Sequence, residues 1–304
     1  MNYCESMKNV YVHLGYPKTG STFIQKEIFP QFKSFKIYNI PFNKKLKIFD
    51  IFFLDEEKFN MYEDKLINFI NIKFKNNKNF IITNENFLHN SYFSNITIDK
   101  LIKRFKKIFP KKYYNLNFFF FIRKPVDLIP SYYSEYYRDI IKINNDLNYY
   151  DKFLISLKSK KLFYKYFNFS KIYQKLFKET NRKCKVFLFE DMFFDTKNFK
   201  KEFAKYFNFK NFKISVEPKK IYHLTEKISK SEYERKRVPI HKLFKKKKIL
   251  KNKKLLNIMY RIFTVDKVAV NKKNSDLILN IFKNIYKDLP KPVLKRIYKH
   301  KYLF

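Results

Sequence analysis

The sequence predicts a three-layer α/β fold: a central parallel sheet of about five strands, covered by helices on both faces, plus a helical C-terminal extension. Three observations carry this expectation. Short, continuously apolar runs alternate with longer stretches of helical spacing, the pattern of a sheet buried on both sides. The only two glycines of the 304-residue chain, Gly15 and Gly20, fall together between the first apolar run and the stretch that follows it. A change of texture near Glu217 then marks a region where strands are hard to find and charge is dense.

Four segments read as buried strands: VYVHL (10–14), FIIT (80–83), NFFFFI (117–122) and KVFLFE (185–190). Helical spacing occupies 20–29, 57–75, 97–108, 127–140, 150–165, 170–179 and 196–207, with Pro30 and Pro110 standing where two of these should stop. Residues 1–216 form the α/β core in this reading, and residues 217–304 a basic helical cap. In the cap Lys245, Lys246, Lys247 and Lys248 are consecutive, and no acidic residue lies between Glu234 and Asp266.

Composition bounds the function. Lys+Arg number 67 against 27 Asp+Glu, giving a formal net charge of +40. Such a balance points to an anionic partner. The lysines run the length of the chain together with asparagine, isoleucine and phenylalanine, while alanine occurs only at Ala204 and Ala269. All the abundant types share A/T-rich codons, so the charge alone argues for no specific nucleic acid. Peripheral contact with an anionic membrane stays open. Cys4 and Cys184 make no metal or disulfide pattern. No apolar run is long enough to cross a bilayer, and the N-terminus lacks a secretory pattern. A cytoplasmic protein is expected.

The glycine pair lies in HLGYPKTGSTFIQ (13–25). Gly15 is expected to leave the strand with a backbone few residues adopt, and Gly20 to open the helix where a side chain would obstruct a ligand. Helix N-termini offer unpaired N–H donors and partial positive charge. Lys18 adds a full charge, and Ser21 and Thr22 add hydroxyls. The loop is a candidate phosphate cradle, but not the usual nucleotide one. The pattern GxxxxGK[ST] needs lysine directly after the second glycine; here Ser21 stands there and the lysine has moved inside the loop.

FFFFIRKPVDLIPSYYSEYY (118–137) supplies a second anchor. Arg123 ends a buried strand, where ligands bind in open α/β sheets, and Ser131 follows on the early turns of the next helix. An arginine fork with a nearby hydroxyl suits a phosphate.

With these residues in view, GYPKTGSTFIQ resembles the 5′-phosphosulfate-binding loop of sulfotransferases that use 3′-phosphoadenosine 5′-phosphosulfate (PAPS). The spacing of Arg123, Pro125, Ser131 and Tyr133 resembles that family's 3′-phosphate-binding segment. KVFLFEDM and the helix after it resemble its late strand and Glu-Asp motif, with Glu190 and Asp191 in structural roles. The resemblance runs from about residue 10 to 210 and implies a P-loop-like fold. It implies that Pro17, Lys18, Thr19, Gly20, Ser21 and Thr22 line the 5′ end of PAPS, and that Arg123 and Ser131 hold its 3′ end. Lys18 would neutralise charge on the departing phosphate, with no metal required. Glu85, just past the apolar run FIIT (80–83), would be the base that accepts the acceptor's proton, with His89 as the substitute. KISKSEYERKR (227–237) lies where relatives often place further cofactor contacts. The acceptor implied is a carbohydrate or glycolipid hydroxyl, and the aromatic stretch 141–170 is either its platform or core helix. His13 reads as a packed core residue. The competing readings are a small-molecule or nucleoside kinase and a non-catalytic binder of anionic polymers or membranes.

Overall fold

The computed structural model describes residues 7–40, 47–84, 87–88, 96–159, 163–181, 184–209, 227–229, 232–236, 264–269, 271–300 and 302. These fall into two compact units, bounded by Met1–Arg123, Tyr166–Tyr222 and Ile285–Lys301 for the first and by Lys124–Lys165, His223–Asn284 and Tyr302–Phe304 for the second.

The first unit is built on five parallel strands: β1 (Lys8–Leu14), β2 (Lys36–Ile40), β3 (Asn79–Asn84), β4 (Tyr114–Ile122) and β5 (Cys184–Leu188). Their order is β2-β3-β1-β4-β5, so the first strand is the central one. The α/β fold and five-stranded parallel sheet expected from the sequence are thus present. The edge strand β2 was not among the four segments read as strands.

Both faces of the sheet are covered, which is why its strands read as unbroken apolar runs. The FFFF run of β4 makes this concrete, since successive side chains point to opposite faces. Phe118 packs edge-on against Phe105, 5.5 Å between ring centres. Phe105 belongs to α3 (Ile98–Ile108), which lies with α2 (Glu56–Phe74) before it in the chain. Phe119 instead meets Phe207 at 5.2 Å and Phe121 stacks on Phe187 at 5.3 Å. That second face carries an aromatic core of Phe29, Phe32, Phe199, Phe203 and Phe207 among others.

Local chemistry explains the helices. Asp55 and Thr97 cap α2 and α3, their side chains accepting from the backbone N–H of Lys58 and Lys100. The segment after β1 is irregular: α1 (Ser21–Phe23) continues as a π-helical stretch (Ile24–Ile28) and a 3-10 turn (Phe29–Gln31). Of the remaining helices of this unit, α6 (Phe169–Glu179) precedes β5, while α7 (Asp191–Phe194) and α8 (Thr196–Phe207) follow it. Phe199, Phe203 and Phe207 recur every four residues along α8 and are buried, and Asn208 ends it at φ 49°. The unit closes with α10 (Lys291–Lys299).

The second unit holds α4 (Pro125–Ile143), α5 (Tyr150–Lys158) and α9 (Lys272–Phe282). It also holds an antiparallel sheet of β6 (Lys227–Ser229), β7 (Glu232–Lys236) and β8 (Thr264–Ala269). Helices are therefore present beyond residue 217, as expected, together with three short strands that the sequence reading did not foresee there. Buried aromatic groups of 141–170 pack as core: Phe153 lies 5.0 Å and Tyr150 5.2 Å from the ring of Tyr133, whose hydroxyl donates to the Leu147 carbonyl at 2.9 Å. The reading of that stretch as core helix is the one its buried rings satisfy.

Candidate functional site

The chain leaves β1 toward β2 on one side of the sheet, whereas β4 and β5 extend it on the other. Such a reversal opens a crevice at the carboxyl ends of the two strands that flank it, here β1 and β4. The glycine loop follows β1 and Arg123 follows β4, so both anchors of the first unit meet at this crevice. Arg123 Nη1 donates to the carbonyl of Lys18 at 3.0 Å, across 105 residues of chain. The same guanidinium lies over the ring of Phe189, 4.8 Å from its centre. Phe189 is itself tied to β4, its N–H donating to the Ile122 carbonyl at 2.8 Å.

The loop is held from inside. Gly15 N–H donates to the Asn84 carbonyl of β3 at 3.0 Å. Tyr16 is fully buried and its hydroxyl donates to the Tyr166 carbonyl at 2.6 Å. Burial keeps that phenol protonated, well above the usual tyrosine range. The Tyr16 carbonyl in turn accepts from Thr19 Oγ1 at 2.7 Å and from Ser21 Oγ at 3.4 Å. Those two hydroxyls therefore shape the loop, Thr19 being fully buried and Ser21 nearly so. Pro17 is also buried, while Lys18, Gly20 and Thr22 are half-exposed.

The backbone corrects the expectation for Gly15. Gly20 is the left-handed glycine, at φ 81°, and Gly15 is not. Gly15 serves the strand exit through its N–H, without an unusual φ. At Gly20 the protein itself leaves no room for a side chain: a Cβ there would stand 2.8 Å from Met192 Cε and 2.9 Å from the Phe189 ring. Lys18 is left-handed as well, at φ 64°. That conformation costs a non-glycine residue about 1–2 kcal/mol, and such strain persists where the surroundings over-determine it. The Arg123 hydrogen bond to its carbonyl is one such restraint.

The other sequence candidates sit as follows. Ser131 is buried on α4, in the second unit. Glu85 and His89 lie outside the described residues, as do the side chains of 227–237. His13 is fully buried and stacked on Phe119 at 4.9 Å, with Nδ1 2.8 Å from Thr83 Oγ1. Burial lowers its pKa to about 3, so it stays neutral and belongs to the core.

Asp191 belongs to a buried ionic cluster that fastens α10. His300 Nε2 lies 2.6 Å from its Oδ1, and Arg296 Nη1 lies 3.3 Å from its Oδ2. Arg296 also reaches Glu202 at 2.8 Å, where Lys185 of β5 joins at 3.0 Å. Burial raises the Asp191 carboxyl above the ordinary range, against the pull of His300 and Arg296.

Sequence reasoning missed Tyr16 and Phe189 as parts of the loop's support. For Phe189 a signal existed: it directly follows a buried strand adjacent to the one that ends in Arg123. Described cavities lie elsewhere; one of about 370 Å³ is lined by Lys8, Ile108, Pro110 and Tyr114, at the opposite ends of β1 and β4. Among the described residues, no helix is long and apolar enough to cross a membrane.

No protein-family model matches the chain, and no curated protein matches it. Among solved structures it is similar to a sulfotransferase from Alicyclobacillus acidocaldarius, at 16% identity over 70% of this chain and 88% of that one, with a TM-score of 0.43. It is also similar to the sulfotransferase domain from the curacin biosynthetic pathway, at 9% identity over 68% of this chain and 76% of that one, with a TM-score of 0.38.

Proposed function

We propose that the protein transfers a sulfuryl group from PAPS to a hydroxyl or amine acceptor, a carbohydrate or glycolipid being the acceptor class that its resemblance suggests. The observation that carries this reading is the junction of Arg123 with the carbonyl of Lys18 at the β1–β4 crevice. It joins a cationic loop whose lysine is displaced from the nucleotide-kinase position to an arginine at the next strand's end. The donor set fits a nucleotide with two anionic groups, because two cations stand half-exposed at this crevice.

In the proposed reaction, PAPS supplies the sulfuryl group and leaves as adenosine 3′,5′-bisphosphate. Lys18 neutralises charge that develops on the departing 5′-phosphate, within a loop that Tyr16, Thr19 and Ser21 hold in shape. Arg123 grips the 3′-phosphate in this reading. Glu85 accepts the acceptor's proton; a base so placed contributes typically about 10²–10⁴-fold.

Thermal unfolding with adenosine 3′,5′-bisphosphate, ATP and 5′-AMP tests the proposal. Selective stabilisation by the bisphosphate is expected, worth about 2.7 kcal/mol at a hundred times its Kd. Equal stabilisation by ATP would refute it in favour of a kinase. Glu85→Gln should slow transfer sharply; a near-normal rate would move the base to His89.

A further inference from the structure

We infer that Arg123 has a second task, as the positioning residue that sets the loop lysine; the inference rests on the sulfuryl-transfer reading for its ligands, though not for its geometry. Lys18 is the one left-handed non-glycine residue within the loop, at φ 64°. A lysine has no intrinsic preference for that backbone, so the neighbours must impose it. Three contacts tie the loop to the rest of its unit. The buried Tyr16 side chain anchors its start through the Tyr166 carbonyl. Met192 and Phe189 close upon Gly20 at its end. Between them the Arg123 guanidinium holds the Lys18 carbonyl at 3.0 Å.

Arg123 is well suited to the task. It follows β4 without an intervening loop, and β4 pairs with β1 in register from Lys8↔Tyr114 to His13↔Phe119. Its planar group rests on the Phe189 face, 4.8 Å from the ring centre, a contact that orients the fork and reduces what is lost on forming each hydrogen bond. One N–H is spent on the carbonyl, and a guanidinium has five. Holding the lysine and gripping a phosphate are therefore compatible, and the lysine's pose would be coupled to the arginine's.

A residue that only grips the 3′-phosphate and a residue that also sets the loop differ in one measurable respect. A nucleotide without a 3′-phosphate is indifferent to the first and sensitive to the second. The experiment is titration calorimetry of 5′-AMP and of adenosine 3′,5′-bisphosphate with the full chain, as wild type, Arg123→Ala and Arg123→Lys. Amide hydrogen exchange of 15–23 without nucleotide accompanies it. Positioning predicts that Arg123→Ala weakens 5′-AMP by about tenfold to a hundredfold, the worth of a hydrogen bond to a charged group, and speeds exchange in the loop. Arg123→Lys, which still offers a single donor to a single carbonyl, should restore much of the 5′-AMP affinity.

A loss confined to the bisphosphate, with 5′-AMP binding and loop exchange unchanged, overturns the inference. Should wild type bind neither nucleotide, the sulfuryl-transfer reading falls. Loop exchange then decides the positioning role by itself: faster exchange in Arg123→Ala upholds it, and unchanged exchange overturns it.

Discussion

Gly20 and Phe189 approach so closely that a Cβ on the glycine would stand 2.9 Å from the phenylalanine ring. The aromatic group cannot swing aside without leaving the Arg123 guanidinium that rests on it. Gly20→Ala would meet this contact and a φ of 81° at once. It is expected to destabilise the protein by about 1–3 kcal/mol, as overpacking and left-handed strain do. Urea denaturation measures this directly, and an unchanged midpoint would contradict it.

Lys18→Gly and Lys18→Ala both remove the ammonium, and both should abolish transfer. Only glycine accommodates the φ of 64° without strain. The glycine variant is therefore expected to be the more stable of the two, by about 1 kcal/mol. Equal stabilities would mean that the loop relaxes to another backbone when the side chain is lost.

His13 gives a pH dependence whose sign is fixed. Its pKa is lowered by burial from 6.5 to about 3. Between those values the unfolded chain binds a proton that the folded chain refuses, so stability falls as pH falls. The slope approaches about 1.4 kcal/mol per pH unit for one such group. His13→Gln should flatten this part of the stability profile, read by denaturant titration from pH 7 to pH 4.

Arg296 is the hub of the ionic cluster, within 3.3 Å of Asp191 and 2.8 Å of Glu202. Its loss would leave the buried Asp191 with the His300 ring as its remaining described partner, so Arg296→Ala is expected to cost about 3–5 kcal/mol. Arg296→Lys should recover little, because a point charge cannot span two carboxylates. Chemical denaturation monitored by circular dichroism would show both effects.

Four of the five sheet strands were legible because burial on both faces writes itself as an unbroken apolar run, most plainly at Phe118 to Phe121. Strand β2 escaped because Lys36 and Asn39 interrupt its apolar residues, as the edge of a sheet permits. The strand Glu232–Lys236 escaped for a related reason: four of its five residues are charged, and no period separates a strand from a solvated loop in such a run. At the candidate site, Lys18 and Arg123 were legible through residue type and spacing. Their hydrogen bond was not, because it depends on a lysine adopting a backbone that its sequence neighbours do not demand. The cluster around Asp191 was hidden by distance and by dilution: its arginine lies 105 residues away, in a chain with 67 basic residues.

The sheet unit draws its last piece, Ile285–Lys301, from beyond the long His223–Asn284 segment of the second unit. During synthesis the N-terminal part of a chain emerges first and domains fold as units. The phenylalanine-rich interior of this one must then wait, incompletely closed, while more than sixty further residues leave the ribosome between Tyr222 and Ile285. Exposed aromatic surface over that interval invites association with other nascent chains, so yield in a cell should depend on holdase chaperones more than the finished protein's stability would suggest.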